Sequence, residues 1–294
     1  MEARIRGFPI WQGTINWEPL RGGLSNECFT VTDATGKYVV RFGRDLPFHH
    51  VSREREMMAA RAAYAAGFAP EVVHAAPGVM VVRFIEGKTF GPGDVRANIP
   101  RIADIVRRFH AEMPAHVSGP GFMFWVFHVI RDYALTLEAG GSRVIPRLPE
   151  FLALSEEMER AQVPMPIVYG HHDFLPANFV DDGSRLWLID FEYAGFGTAM
   201  FDLAGIASNA GFDAAQAAEL LGCYIGSDPT DELLRSHAAM QCASLLREAM
   251  WSMVSELHLD TDGVDFVAYT EEQLKALEAA HAAYNHRFRK VVNS

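Results

Sequence analysis

Cysteine is scarce in this sequence. Cys28, Cys223 and Cys242 are odd in number and far apart, which excludes a disulfide framework or a zinc cluster and fits a reducing, cytoplasmic setting. Long apolar runs are also missing. The most apolar stretch, GFMFWVFHVI at 121–130, is too short to span a bilayer. The N-terminal MEARIRGFPI lacks the apolar centre of a signal peptide, so no membrane insertion is expected. Positive charge is in deficit, with 26 Lys and Arg against 37 Asp and Glu and a net charge of −11. That balance argues against general nucleic-acid binding, which needs a basic footprint, and it tolerates a cationic ligand. No internal repeat or low-complexity tract is visible.

What is present is ordinary for a globular chain: 294 residues, 49% hydrophobic and 21% charged. This is enough for one large domain or two lobes with a sizeable core. Residues 20–42 read as a strand, a Gly-rich turn and two more strands joined at DATGK. Gly22 and Gly23 allow close backbone approach to a ligand, and exposed N–H groups in such a loop can bind phosphate. A helix over 51–66 stops at Gly67 with Pro70 behind it. Strands are expected at 72–74 and 79–84, and an amphipathic helix at 95–112 with Ile102, Ile105, Val106 and Phe109 at core spacing. The aromatic run at 121–130 leads into a helical pattern reaching about 137; it reads as core or as one wall of a pocket. Ala194, Gly195 and Gly197 suggest a loop before a helix opened by Phe201. Helices are expected over 213–225, 230–258 and 266–290. The acidic DTDGVDF at 260–266 does not have the spacing of a calcium-binding EF-hand loop.

The chemistry concentrates in residues 168–193, VYGHHDFLPANFVDDGSRLWLIDFEY. Two short apolar strands, 166–169 and 186–189, carry polar residues at their ends: His171, Asp173, Asn178, Asp190 and Glu192. The Asp-Asp-Gly-Ser segment at 181–184 is a turn signal, expected to fold these strands on each other and bring Asp173, Asn178 and Asp190 together. Carboxylate and amide oxygens gathered this way suit a hard cation, Mg²⁺ in particular when phosphate shares the site.

His171-x-Asp173-x-x-x-x-Asn178 followed by Ile189-Asp190-Phe191-Glu192 resembles the catalytic core of the choline kinase and aminoglycoside phosphotransferase superfamily, distant relatives of protein kinases. The resemblance extends over nearly the whole chain. It implies that Asp173 orients the acceptor hydroxyl, that Asn178 and Asp190 hold Mg²⁺, and that Glu192 helps with a second Mg²⁺. It implies a nucleotide loop at Gly23, Ser25 and Asn26, and a phosphate-binding cation at Arg41. Arg at this position is the choline-kinase-like choice, Lys being usual elsewhere in the superfamily. Glu54 and Glu56 are both candidates to pair with Arg41. The family's Arg-x-x-Glu pattern falls on Arg53 and Glu56, and residues two apart on a helix project about 200° apart, so Glu56 is chosen. The hinge that meets the adenine edge falls at Arg83, Phe84 and Ile85. Asp202 matches a residue that braces the catalytic loop. His110 is assigned packing only.

The resemblance also implies an acceptor cage. Tyr193 and Trp251 match aromatic positions that enclose a trimethylammonium group. Two positions depart from the choline pattern: a second pocket Trp becomes Glu248, and an acidic residue becomes Asn209. The expected fold is α+β and two-lobed like a protein kinase, with an N-lobe over 1–87 that binds nucleotide and a mainly helical C-lobe over 88–294. The expected activity is ATP- and Mg²⁺-dependent phosphorylation of a small amino alcohol, choline or ethanolamine. Aminoglycoside or thiamine phosphorylation and a non-catalytic nucleotide or amine sensor are the alternatives.

Overall fold

Along β3 (Gly36–Phe42), Tyr38, Val40 and Phe42 are buried and alternate with Lys37, Val39 and Arg41, so one face of the strand is apolar and the other carries cations. The computed structural model that shows this describes residues 1–20, 26–259 and 263–289. Gly23 and Ser25 of the expected nucleotide loop therefore lie outside the described residues. Strand β3 is central in an antiparallel five-stranded sheet of order β1-β2-β3-β5-β4, formed with β1 (Asn16–Leu20), β2 (Glu27–Asp33), β4 (Val72–Ala76) and β5 (Val79–Arg83). Its apolar face closes over Ile5 of helix α1 (Glu2–Arg6) and over Phe8 and Trp11, giving a small core of its own with Phe29, Val31 and Val81. Helix α2 (Arg53–Ala65) follows β3, and its Ala59, Ala60, Ala62 and Ala63 let it pack closely into the larger core of the helical lobe.

Past β5, the two-residue strand β6 (Lys88–Thr89) pairs with β8 (Phe179–Asp181). Gly87 lets the chain make this turn: a Cβ there would sit 2.6 Å from the Asp181 carbonyl oxygen. The helical lobe then runs through α3 (Pro92–Ala97), α4 (Ile99–Glu112), α5 (Val126–Ala139), α6 (Leu148–Arg160), β7 (Ile167–Gly170), β8, β9 (Leu186–Leu188), β10 (Gly195–Thr198), α7 (Ala199–Ala210), α8 (Ala214–Ile225), α9 (Asp231–His258) and α10 (Phe266–Tyr284). The 28-residue α9 is the spine against which α5, α6, α7 and α10 pack.

Four sequence-based expectations change. The strand at 166–169 does not fold onto 186–189; β7 pairs with β10, and the Asp-Asp-Gly-Ser turn joins β8 to β9. The Asp182 carboxylate accepts the Ser184 and Arg185 N–H groups at 2.8 and 2.9 Å, and so tight a turn pairs the residues next to it rather than a strand ten residues away. The loop expected at 194–197 is consequently a strand. The helix expected over 95–112 is broken at Asn98, because Pro100 suits the first turn of a helix but not its interior. Helix α6, with Pro149 in its own first turn, was not anticipated.

Candidate active site

The loop after β7 is held from below by one carboxylate. Asp202, in the first turn of α7, accepts the N–H groups of His171 and His172 at 2.9 and 2.7 Å and the His110 Nε2–H at 2.8 Å. Burial opposes ionisation of Asp202, but the His110 hydrogen bond and the neighbouring imidazoles outweigh it and bring its pKa down to about 2. His172 takes a left-handed backbone, φ 61°, which turns the chain so that Asp173 leaves the strand direction. Its ring stacks on Phe124 at 4.5 Å, in a slot where a Cβ on Gly170 or Gly197 would lie 2.4 or 2.6 Å from its Nε2. Burial keeps that ring neutral, with a pKa lowered to about 4.

From Asp173 the chain makes a single turn, Pro176–Asn178. The Asn178 Nδ2 donates to the Asp173 carbonyl at 2.7 Å, so the side-chain oxygen is the amide atom that could coordinate a metal. The Asn178 carbonyl accepts the Ile189 N–H at 3.1 Å, and His171 Nε2 lies 3.0 Å from the Ile189 carbonyl. These bonds bind the loop to the end of β9, where Asp190 also adopts a left-handed φ of 67°. Asp173, Asn178 and Asp190 are thus joined through backbone, though by the β8–β9 hairpin rather than the one expected. His171 supports the loop, stacked on Phe174 at 4.5 Å.

Arg41 crosses from the small lobe into this arrangement. Its Nη1 donates to Asp190 Oδ1 at 2.7 Å and its Nη2 to Glu56 Oε1, with Glu192 Oε2 at 3.9 Å. Glu56 is buried whereas Glu54 is exposed, so the helix geometry selects Glu56. Arg53, one turn earlier on α2, ties Glu56 Oε2 at 2.7 Å to Glu192 Oε2 at 3.0 Å, a bridging role absent from the sequence reading. Two guanidinium groups here face three carboxylates, which leaves a net negative charge; no cluster of three or more acidic, His or Cys side chains arranged around a metal position occurs among the described residues. Burial pushes the Asp190 pKa up, but Arg41 overturns this and leaves it below the usual carboxylate range. Arg41, Arg53 and Glu56 line a cavity of about 640 Å³ with Asn26, Gly43 and the β4–β5 turn.

At the expected hinge, the Arg83 and Phe84 N–H groups donate to the Glu71 and Lys37 carbonyls at 2.9 and 3.0 Å. On the other side of Asp173, the Trp251 Nε1 donates to the Tyr193 hydroxyl at 3.0 Å, so the two aromatic residues do meet. Both are buried, and the pocket beside Asp173 is lined instead by Asn209, Arg247, Glu248 and Gln273. Burial raises the Asp173 pKa well above the usual range, with the Arg247 guanidinium pulling the other way. Arg247 escaped the sequence reading because a helical Arg is ordinarily a solvated charge. Its one signal was its place four residues before Trp251, on the same face of α9.

The comparisons agree with this geometry. A probable ethanolamine kinase from Arabidopsis thaliana is 27% identical over 86% of this chain and 78% of its own length. A solved choline/ethanolamine kinase family protein from Mesorhizobium loti is 28% identical, with a TM-score of 0.73 and coverage of 95% of this chain and 93% of its own. The fold is shared with LicA solved in complex with AMP, at 19% identity and a TM-score of 0.69 over 90% of this chain and 93% of that one. The model of the phosphotransferase enzyme family matches residues 16–236, three quarters of the sequence and every residue of the Arg41–Asp190 cluster, and the chain belongs to that family.

Proposed function

We propose that this protein is an ATP- and Mg²⁺-dependent phosphotransferase acting on the hydroxyl of a small amino alcohol of the ethanolamine and choline class. The observation that carries the reading is the convergence of Arg41, Glu56, Asn178 and Asp190 beside Asp173, drawn from four separate stretches of chain. The relatives' own substrates supply the acceptor class.

In this mechanism the acceptor oxygen bonds to the γ-phosphorus as the bond from that phosphorus to the β–γ bridging oxygen breaks. ADP leaves, and the hydroxyl proton passes to the Asp173 carboxylate. Arg41, fixed by Glu56, holds phosphate oxygens, and its fork accepts two at once. Asn26 and the nucleotide loop at Gly23 and Ser25 cover the phosphates, and the segment Arg83–Phe84–Ile85 meets the base. The oxygens of Asn178 and Asp190 would hold Mg²⁺ and Glu192 would help with a second ion, and the metal would supply neutralisation of charge on the phosphates. The lobe through Gly87 serves the nucleotide, and the remainder serves the acceptor, with Tyr193 and Trp251 packed behind the pocket wall rather than lining it.

The test is Mg²⁺- and acceptor-dependent release of ADP from the purified protein, with Asp173→Asn alongside. Stimulation by an amino alcohol that falls by about 10² or more in the variant is expected. Absence of stimulation by every amino alcohol tried, despite ATP binding, overturns the reading.

A further inference from the structure

A pocket for a quaternary ammonium needs an open aromatic face, and the aromatic faces here are already taken. The Arg247 guanidinium lies 4.5 Å from the centre of the Tyr193 ring. Trp251 is stacked on His49, 5.0 Å away and 22° from parallel. The protein's own cation thus occupies the Tyr193 face.

That cation is incompletely satisfied. Arg247 is 4% exposed. Its Nη1 donates to Glu248 Oε2 at 3.0 Å, and the hydroxyls of Tyr133 and Tyr193 and the Asp173 carboxylate also surround it. Its Nε and Nη2, both buried, have no hydrogen-bond partner among the described residues. These two nitrogens share one edge of the guanidinium, the edge that matches the two oxygens of a single carboxylate. Leaving such donors unmet inside a protein is costly, and a ligand that meets them is the natural resolution. Arg247 lines the same pocket as Asp173, the proposed acceptor of the hydroxyl proton. The pocket is small, about 20 Å³ or roughly the space of one water. Glu248, also in the wall, accepts the Tyr269 hydroxyl at 2.9 Å and stays about a quarter exposed, so it can face an ammonium.

We propose that the acceptor is an amino alcohol that also carries a carboxylate, a zwitterionic hydroxy amino acid whose carboxylate binds Arg247 while its hydroxyl meets Asp173. The inference rests on the amino-alcohol phosphotransferase reading and narrows it. The transfer is unchanged: the hydroxyl oxygen takes the γ-phosphoryl group, ADP leaves and the proton goes to Asp173.

The experiment compares L-serine, L-serine methyl ester, ethanolamine and choline as acceptors in ADP release by the wild-type chain and by Arg247→Met. Ethanolamine is serine without its carboxylate, and the ester retains the skeleton while removing the charge. We expect kcat/KM for L-serine to exceed that for the other three by about tenfold or more. In Arg247→Met that advantage should vanish through a rise in KM for L-serine, with KM for ATP unchanged. If wild type favours ethanolamine or choline, or treats serine and its ester alike, the carboxylate inference is overturned while the phosphotransferase reading stands. If none of the four stimulates ADP release although ATP binds, both fall. The wild-type ranking decides by itself should the substituted chain not fold.

Discussion

Asp173 illustrates how burial and charge set one residue's chemistry. Desolvation raises its pKa and Arg247 lowers it. Only the carboxylate can take the hydroxyl proton, so activity should fall as pH drops through a value above the ordinary 3.8 of an aspartate. Arg247→Met removes the opposing cation and should move that acid limb to higher pH, which a kcat/KM profile on ethanolamine would read. An unmoved limb would separate Arg247 from Asp173 electrostatically. Arg41 makes a second case. It pairs with Glu56 and Asp190, so Arg41→Met should raise KM for ATP by about tenfold or more while leaving two carboxylates without their cation. An ATP titration would check this, and an unchanged KM would take Arg41 away from the phosphates.

At the scale of elements, the catalytic loop depends on two strands and a helix that meet only in the folded chain. A Cβ on Gly197 would stand 2.6 Å from His172 Nε2 and 2.8 Å from the Phe124 carbonyl oxygen. The carbonyl belongs to backbone and cannot swing aside, so Gly197→Ala should cost about 1–3 kcal/mol by overpacking. Denaturant unfolding should show a lower midpoint at constant slope, with kcat falling as His172 is displaced. Asp202→Asn tests the brace beneath the loop. The amide can accept only through one oxygen, whereas the carboxylate receives three donors on two oxygens. The variant should lose about 1–3 kcal/mol and lose kcat, while KM for ATP changes little.

For the whole molecule, buried neutral histidines set the acid limit of stability. His49, His172 and His237 are buried, and burial lowers their pKa values to about 2, 4 and 4 against an ordinary 6.5. Each folded value lies below the unfolded one, so the unfolded chain gains protons first as pH falls. The stability these groups contribute is complete above pH 6.5 and is lost as pH drops toward 4, with His49 continuing the loss below that. Three such sites correspond to about 4 kcal/mol per pH unit between pH 5.5 and 4.5. Chemical denaturation across that interval should show the slope; a flat profile would mean that these rings protonate in the folded state. The two lobes share this limit, because His49 follows β3 yet packs in the helical lobe on Trp251 and 2.8 Å from the Ser255 hydroxyl.

The chemistry of the site was legible in local sequence. His171 to Asn178 and Ile189 to Glu192 are short spacings, and the loop that joins Asp173 to Asn178 closes through its own side chain and carbonyl. Helices α2, α8, α9 and α10 were legible as well, because a period of 3.6 with clear stop signals is a property of contiguous residues. Strand pairing was not. Whether Ile167–Gly170 meets residues 186–189 or 195–198 depends on which alternative completes the core around Tyr169 and Phe196, and no local pattern encodes that choice. The pocket beside Asp173 was the least legible part. Arg247 and Tyr193 are 54 positions apart, and only the packing of α9 across the end of the catalytic hairpin lays one on the other. The sequence by itself determined the family, since the His171–Asn178 and Ile189–Glu192 motifs that carry it depend on short spacings. The tertiary structure decided what the pocket beside them can hold, because a cation in a buried aromatic site is defined by long-range packing.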